Sequence, residues 1–294
     1  PYDTGDGQVM AARAGAKLAN MEYMRMTLLP KGFSAPGFNA LTGMGGRFMN
    51  GLGEYYMEKN HPSGNKAPRY EIVFQSLVEK REGRGPLYID CTHLNKEDIT
   101  HLNTTLGYDK DTLPDYLEQR NEDLATAPVE INVSEGMQAG PTEVTGSGVT
   151  IDGDCASNVP GLFACGDAAD HNRCVHGAIT GGYRSGKSAA KFALGRNFFA
   201  EPEVAPTEEM AEKFIAPLKR GSGYPYRQLE DSVRRIMAEN VGPMRSELGL
   251  NTALKKLTQL EKHLDDMKVE DLHELMRSQE TRSILEVGKI SATA

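Results

Sequence analysis

Apolar positions change their spacing several times along this chain, and each change marks an element. Near the start, Gly5-Asp6-Gly7 precedes Val9, Met10, Ala12 and Ala16, an amphipathic helix pattern that runs out at Leu18. Asp6 is the expected N-cap of that helix, because its carboxylate can accept from the free amides of the first turn. From Lys31 to Gly53, glycine and proline are frequent and no period holds. Ile72, Val73, Leu77 and Val78 then recur along one side of a predicted helix from Arg69 to Lys80. Pro86 to Asp90 reads as a short buried strand, and Asn95 to Asp123 as polar sequence with helical pieces.

After Pro128 the character returns to strand and turn. Val144 to Ile151 alternates apolar residues with glycine, and Gly161 to Cys165 is a short apolar run with glycine directly behind it. Ser185 to Leu194 reads as the helix that follows. From Thr207 onward the pattern is helical, and Leu250, Leu254, Leu257, Leu260, Leu264 and Met267 recur at the spacing of packed helices.

Composition narrows the function classes. A chain of 294 residues is long enough for two domains or one large one. Its net charge of -8, with Lys and Arg scattered, excludes a nucleic-acid backbone as partner. No apolar stretch is long enough for membrane insertion as a helix, and the opening PYDTGDGQVM is too polar for a secretory signal. None of the four cysteines (Cys91, Cys155, Cys165, Cys174) has C-x-x-C spacing, so no zinc or iron–sulfur ligation is expected. They read as reduced thiols of a cytoplasmic protein.

The most informative segment is Val159 to Ala169, VPGLFACGDAA. A buried strand ends in Gly166 and then presents the Asp167 carboxylate. In dinucleotide sites such a carboxylate accepts hydrogen bonds from sugar or ribitol hydroxyls, and the glycine lets backbone amides approach a pyrophosphate. His176-Gly177-Ala178, Gly181-Gly182 and Ser185-Gly186 follow. The same glycine-rich order also serves an ordinary strand, turn and helix packed tightly.

PGLFACGDAA followed by HGA, GG and SG resembles the second FAD-binding segment of the fumarate reductase and succinate dehydrogenase flavoprotein family. TGDGQVMAARAGAKLANMEYM, FMNGLGEYYMEKNHP, EGRGPLYIDCTHL and the terminal helices resemble further family segments, in family order. The resemblance implies an α/β (α+β) chain. Residues 1–26 would be part of an FAD-binding domain, 27–127 an inserted capping domain, 128–199 the second part of the FAD-binding domain, and 200–294 a helical domain. It implies FAD as cofactor, contacted by Gly5, Asp6, Gly166, Asp167 and Ala168, and by Gly177, Arg184, Ser185 and Gly186. A small anionic substrate would enter between the FAD and capping domains, held by Arg69 of APRYEIV and oriented near His176. With no cluster ligands here, electrons would pass to an iron–sulfur or ferredoxin-like subunit. The family's opening G-x-G-x-x-G unit does not appear, so the chain reads as a fragment, or as one whose first FAD element lies on another chain. Residues 1–294 alone would then bind FAD weakly.

The branch is read from what differs. Thr27, Glu135 and Thr180 fall in the segments where the family carries two histidines and an arginine of its dicarboxylate clamp. A carboxylate at Glu135 would repel a dicarboxylate, which leaves Arg69 as the cation remaining on the cap side. The replacements resemble the alpha subunit of dissimilatory adenylylsulfate reductase. The alternative to an enzyme is a catalytically silent, flavoprotein-derived binding or assembly module.

Overall fold

The computed structural model describes residues 4–23, 26–33, 38–109, 112–135, 146–171, 174–196, 204–242 and 244–294. In chain order, the first half forms α1 (Asp6–Arg13), β1 (Leu18–Ala19), β2 (Met26–Pro30), α2 (Phe38–Gly43), β3 (Arg47–Met49), α3 (Tyr56–Asn60), α4 (Arg69–Arg81), β4 (Leu87–Asp90), α5 (Lys96–Asp109), α6 (Thr112–Gln119) and β5 (Val129–Glu135). The second half forms β6 (Gly148–Val149), α7 (Cys174–Leu194), α8 (Val204–Ile215), β7 (Tyr224–Pro225), α9 (Tyr226–Asn240), α10 (Glu247–Glu261), β8 (Met267–Lys268) and α11 (Leu272–Thr293). Contacts divide these into two units, Pro1–Tyr23 with Val144–Ala294, and Met24–Glu143.

The inserted unit, Met24–Glu143, is built on an antiparallel sheet in the order β2-β5-β4-β3. Leu28 pairs with Val133, Ile89 with Val129 and Phe48 with Ile89. Leu87 and Ile89, two apart on β4, are buried on the face that α4 covers with Ile72 and Val73. β5 hydrogen-bonds to β2 on one side and β4 on the other, so Val129–Glu135 belongs to this sheet. Its strand character alone groups it with the segment after Pro128, but pairing on both edges fixes its place.

In the other unit, β1 and β6 pair antiparallel, Leu18 opposite Val149. Ala11, Val149, Ile151, Cys155 and Ala169 close a small core around them. α9, α10 and α11 pack together through Tyr226, Leu229, Val233, Leu257 and Leu285. Side chains cap two of these helices. Ser246 Oγ accepts from the Gly249 amide at 3.1 Å, and Asp271 Oδ1 from the Glu274 amide at 2.8 Å. α11 also packs on α1, where Arg13 Nε donates to Glu286 Oε2 at 3.1 Å.

Two local expectations change. The N-cap of α1 is Gly5 at φ 77°, ψ 17°, with no side-chain cap bond, and Asp6 is the first helical residue. A Cβ on residue 5 would lie 2.4 Å from Val287 Cγ2, so the approach of α11 demands glycine there. The helix expected from Ser185 begins instead at Cys174 and runs unbroken to Leu194.

Candidate functional site

The glycine turn after the apolar run is a short 3-10 segment, Gly166–Ala168. Gly166 has φ 64°, and a Cβ there would stand 3.2 Å from Ala178 Cβ, so the missing side chain lets the turn lie on α7. Beneath it, a Cβ on Gly148 would reach 2.3 Å from the Ala168 carbonyl oxygen. The turn presents Asp167 to solvent. Gln8 Nε2 on the first turns of α1 donates to the Asp167 carbonyl at 3.5 Å. Asp6 and Gly7 are exposed on that same turn, and Thr4 Oγ1 donates to the Asp6 carboxylate. Gly5, Asp6, Gly166, Asp167 and Ala168 therefore converge on one region of this unit.

The candidates on α7 separate by face. Gly177 is buried and Ser185 half-buried, its hydroxyl donating to the Gly182 carbonyl at 3.4 Å. Gly181 is buried on the same face, where a Cβ would lie 3.1 Å from Cys165 Cβ. His176, Arg184 and Gly186 are exposed. Ser185 and Gly186 lie three turns into the helix, about 16 Å from its start at 1.5 Å per residue, so neither opens a helix toward an anion. Val175, Ile179 and Tyr183, at i, i+4 and i+8, form an exposed apolar strip on α7.

Arg69 lies in the inserted unit, at the first position of α4. It lines a cavity of about 320 Å³ with Lys66, Thr42, Leu28, Phe48 and Val73. The sequence left Arg69 as the remaining cation, and the fold adds Lys66, which no motif marks. Met24 and Arg25, the Thr27 side chain, the Glu135 side chain and Gly136–Gly140 lie outside the described residues. Thr180 is exposed on α7, its hydroxyl donating to the His176 carbonyl at 2.8 Å. Among the described residues, no group of three or more His, Cys, Asp or Glu side chains could hold a metal ion. Among them, too, no helix is long and apolar enough to cross a membrane.

With this geometry in view, comparison with known proteins decides the family. Residues 1–188 match the FAD binding domain family, and residues 230–294 the fumarate reductase flavoprotein C-terminal family. The chain belongs to the FAD-binding flavoproteins of the fumarate reductase and succinate dehydrogenase family. An uncharacterized FAD-dependent oxidoreductase of Methanocaldococcus jannaschii is 28% identical over 309 aligned positions, covering 98% of this chain and 52% of that protein. The mitochondrial succinate dehydrogenase [ubiquinone] flavoprotein subunit of Oryza sativa subsp. japonica is 29% identical over 296 positions, covering 91% of this chain and 45% of the subunit. The chain thus spans about half the length of the curated relatives it matches. Among solved structures, adenylylsulfate reductase from Archaeoglobus fulgidus superposes with a TM-score of 0.78 at 22% identity, over 99% of this chain and 54% of that one. At that identity the likeness is one of fold.

Flavoproteins of this family bind FAD, and the residues present fit part of it. The Asp167 carboxylate stands exposed beside a glycine turn, next to the end of α1 that no side chain caps. A Cβ on Gly7, Gly182 or Gly186 would meet nothing within 4 Å, so the backbone there is open to close approach. The strip of Val175, Ile179 and Tyr183 offers apolar surface on the same helix.

Proposed function

We propose that this chain carries part of the flavin site of an FAD-dependent oxidoreductase acting on a small anionic substrate, with an iron–sulfur or ferredoxin-like partner exchanging the electrons. The observation that carries this reading is Asp167, an exposed carboxylate on a glycine turn braced by α1 and α7. FAD, when bound, supplies two-electron transfer. Asp167 would accept hydrogen bonds from the ribitol or ribose hydroxyls, with the amides of α1 and the open glycines allowing close backbone approach. His176, exposed on α7, can orient an anion or exchange a proton with it. Arg69 would hold the anion by charge-assisted hydrogen bonds, and residues 24–143 would act as a capping domain. The substitutions at Thr27, Glu135 and Thr180 favour an adenylylsulfate-reductase-like anion over a dicarboxylate.

The test is Asp167→Ala in the protein that carries this chain. Flavin absorbance per polypeptide should fall severalfold after purification. Undiminished flavin content would refute the role of Asp167, and a protein that stays colourless after FAD addition would refute the enzyme reading.

A further inference from the structure

We propose that Cys155 and Cys165 form a redox-sensitive dithiol, which an oxidant of the peroxide class converts to a disulfide. Both are free thiols in this structure, and the pair stands whether or not the flavin site does. A short hairpin brings them together. Ala156 is bridged antiparallel to Phe163, the Ser157 amide donates to the Leu162 carbonyl at 2.9 Å, and the Ala164 amide donates to the Cys155 carbonyl at 3.1 Å. Opposed residues in such a ladder have Cα atoms about 4.5–5.5 Å apart. One more residue along the strand adds about 3.3 Å roughly at right angles, so Cys155, opposite Ala164, stands about 6 Å from Cys165 between Cα atoms. Disulfides span Cα separations of about 4.4–6.8 Å.

The two side chains also turn the same way. In a regular ladder Cys155 would share a face with Ala164 and not with Cys165. Cys155 leaves that alternation, with φ 62°, a left-handed backbone that glycine adopts at lower cost. Its Sγ lies 3.7 Å from the Gly181 carbonyl oxygen on α7. Cys165 meets the same residue, since a Cβ on Gly181 would stand 3.1 Å from Cys165 Cβ. Both thiols therefore border one residue of α7 that has no side chain to hold them apart. Burial first, and then the neighbouring Cys165, push the Cys155 thiol up.

Their unequal burial assigns the roles. Cys155 is fully buried and Cys165 half-buried, so peroxide meets Cys165 first. The Cys165 thiolate attacks one peroxide oxygen, the O–O bond breaks, and Cys165 becomes a sulfenic acid as hydroxide departs. Cys155 Sγ then attacks the Cys165 sulfur. The S–O bond breaks, the S–S bond forms, and water leaves with the Cys155 proton. Two thiols lose two electrons and two protons, and the peroxide is reduced to two waters. Because Cys165 directly precedes Gly166, the cross-link would tether the turn that carries Asp167.

The experiment treats the protein that carries this chain with hydrogen peroxide, blocks remaining thiols with N-ethylmaleimide, and digests it unreduced with chymotrypsin. Cleavage after Leu162 or Phe163 separates the two cysteines, so their disulfide appears as two joined peptides, lighter by two hydrogens than their sum. That joined pair is expected, with Cys91 still free. Cys155→Ala should leave Cys165 as sulfenic acid, with dimedone labelling severalfold above wild type. Cys165→Ser, at a half-buried position, should leave Cys155 unoxidised, and it keeps the test open if Cys155→Ala does not fold. Absence of the joined peptides, or Cys165 joined to Cys174 instead, overturns the pair. Dimedone labelling equal in wild type and Cys155→Ala, or oxidation of Cys155 in Cys165→Ser, overturns the assigned roles.

Discussion

Arg84 grips Glu79 with two hydrogen bonds, Nε to Oε2 at 2.6 Å and Nη2 to Oε1 at 2.8 Å, and Asn50 Nδ2 donates to Oε2 at 2.8 Å. The Glu79 side chain is 2% exposed, so its charge is tolerated only through these donors. The bonds from Arg84, then Asn50, outweigh burial and hold the Glu79 carboxyl below its ordinary range. A carboxylate with a lowered folded value stabilises above the unfolded value, about 4.3, and that contribution disappears as pH falls through the folded value. Glu79→Gln should therefore cost about 3 kcal/mol at pH 7. The gap to wild type should narrow below about pH 4. Urea unfolding at pH 7 and pH 3 measures both, and an equal gap at the two values would show that the loss is not electrostatic.

Two glycines of the flavin unit should respond in opposite ways. Gly166→Ala puts a side chain at φ 64° and 3.2 Å from Ala178 Cβ. The left-handed conformation alone costs about 1–2 kcal/mol, so stability and flavin retention should fall together. Gly7, within α1, has open space where a Cβ would go. Gly7→Ala should leave stability unchanged or raise it by about 0.5–1 kcal/mol. FAD retention should nevertheless fall if the cofactor approaches that backbone. Thermal melts and flavin absorbance separate the cases, and full retention in Gly7→Ala would remove this face of α1 from the site.

Burial sets the thiol chemistry. Cys91 is fully buried in the inserted unit, and burial, with the neighbouring Asp90 charge adding to it, pushes its thiol up to about 12. Cys155 is also fully buried, and burial raises its thiol too. The thiolate is the reactive form, so both should resist iodoacetamide at pH 8 in the folded protein and react fully once it is unfolded. Peptide mass analysis of labelled sites checks this, and rapid native labelling of Cys91 would mean that the sheet around it opens readily.

What the sequence disclosed follows the range of the forces involved. α4 and β4 were legible because Ile72, Val73, Leu87 and Ile89 repeat at helix and strand spacing within one element. The glycine turn and carboxylate at Gly166 and Asp167 were legible too, but the buried strand expected before them is a half-buried run, Leu162 to Cys165, with a single bridge from Phe163 to Ala156. The start of α7 was not legible. Gly177, Gly181 and Gly182 weaken a helix locally, and the packing of Gly181 on Cys165 that favours it comes from elsewhere in the chain. Gly5, at φ 77°, is the N-cap in place of Asp6, and its closeness to Val287 is a long-range contact that no local pattern contains. The place of β5 depends on pairing with β2, about a hundred residues earlier. Lys66 carries no signature in sequence, and only the fold brings it to the cavity of Arg69.

Substrate choice gives the sharpest test. By resemblance, the family's dicarboxylate clamp should reach this chain near Thr27, Glu135 and Thr180, and none of these is a cation. Thr180 is a short side chain whose hydroxyl is taken by the His176 carbonyl, so it cannot replace a guanidinium. Each charge-assisted hydrogen bond lost at a buried site costs about 1.5–3 kcal/mol. Every 1.36 kcal/mol or so is about tenfold in rate, so several losses amount to orders of magnitude. The protein that carries this chain should show no useful fumarate reduction or succinate oxidation in dye-linked assays. Arg69→Ala should abolish whatever turnover its true substrate supports, because Lys66 supplies a point charge without the paired donors of a guanidinium. Robust fumarate reduction would overturn the branch assignment. Full activity in Arg69→Ala would overturn the anion-holding role.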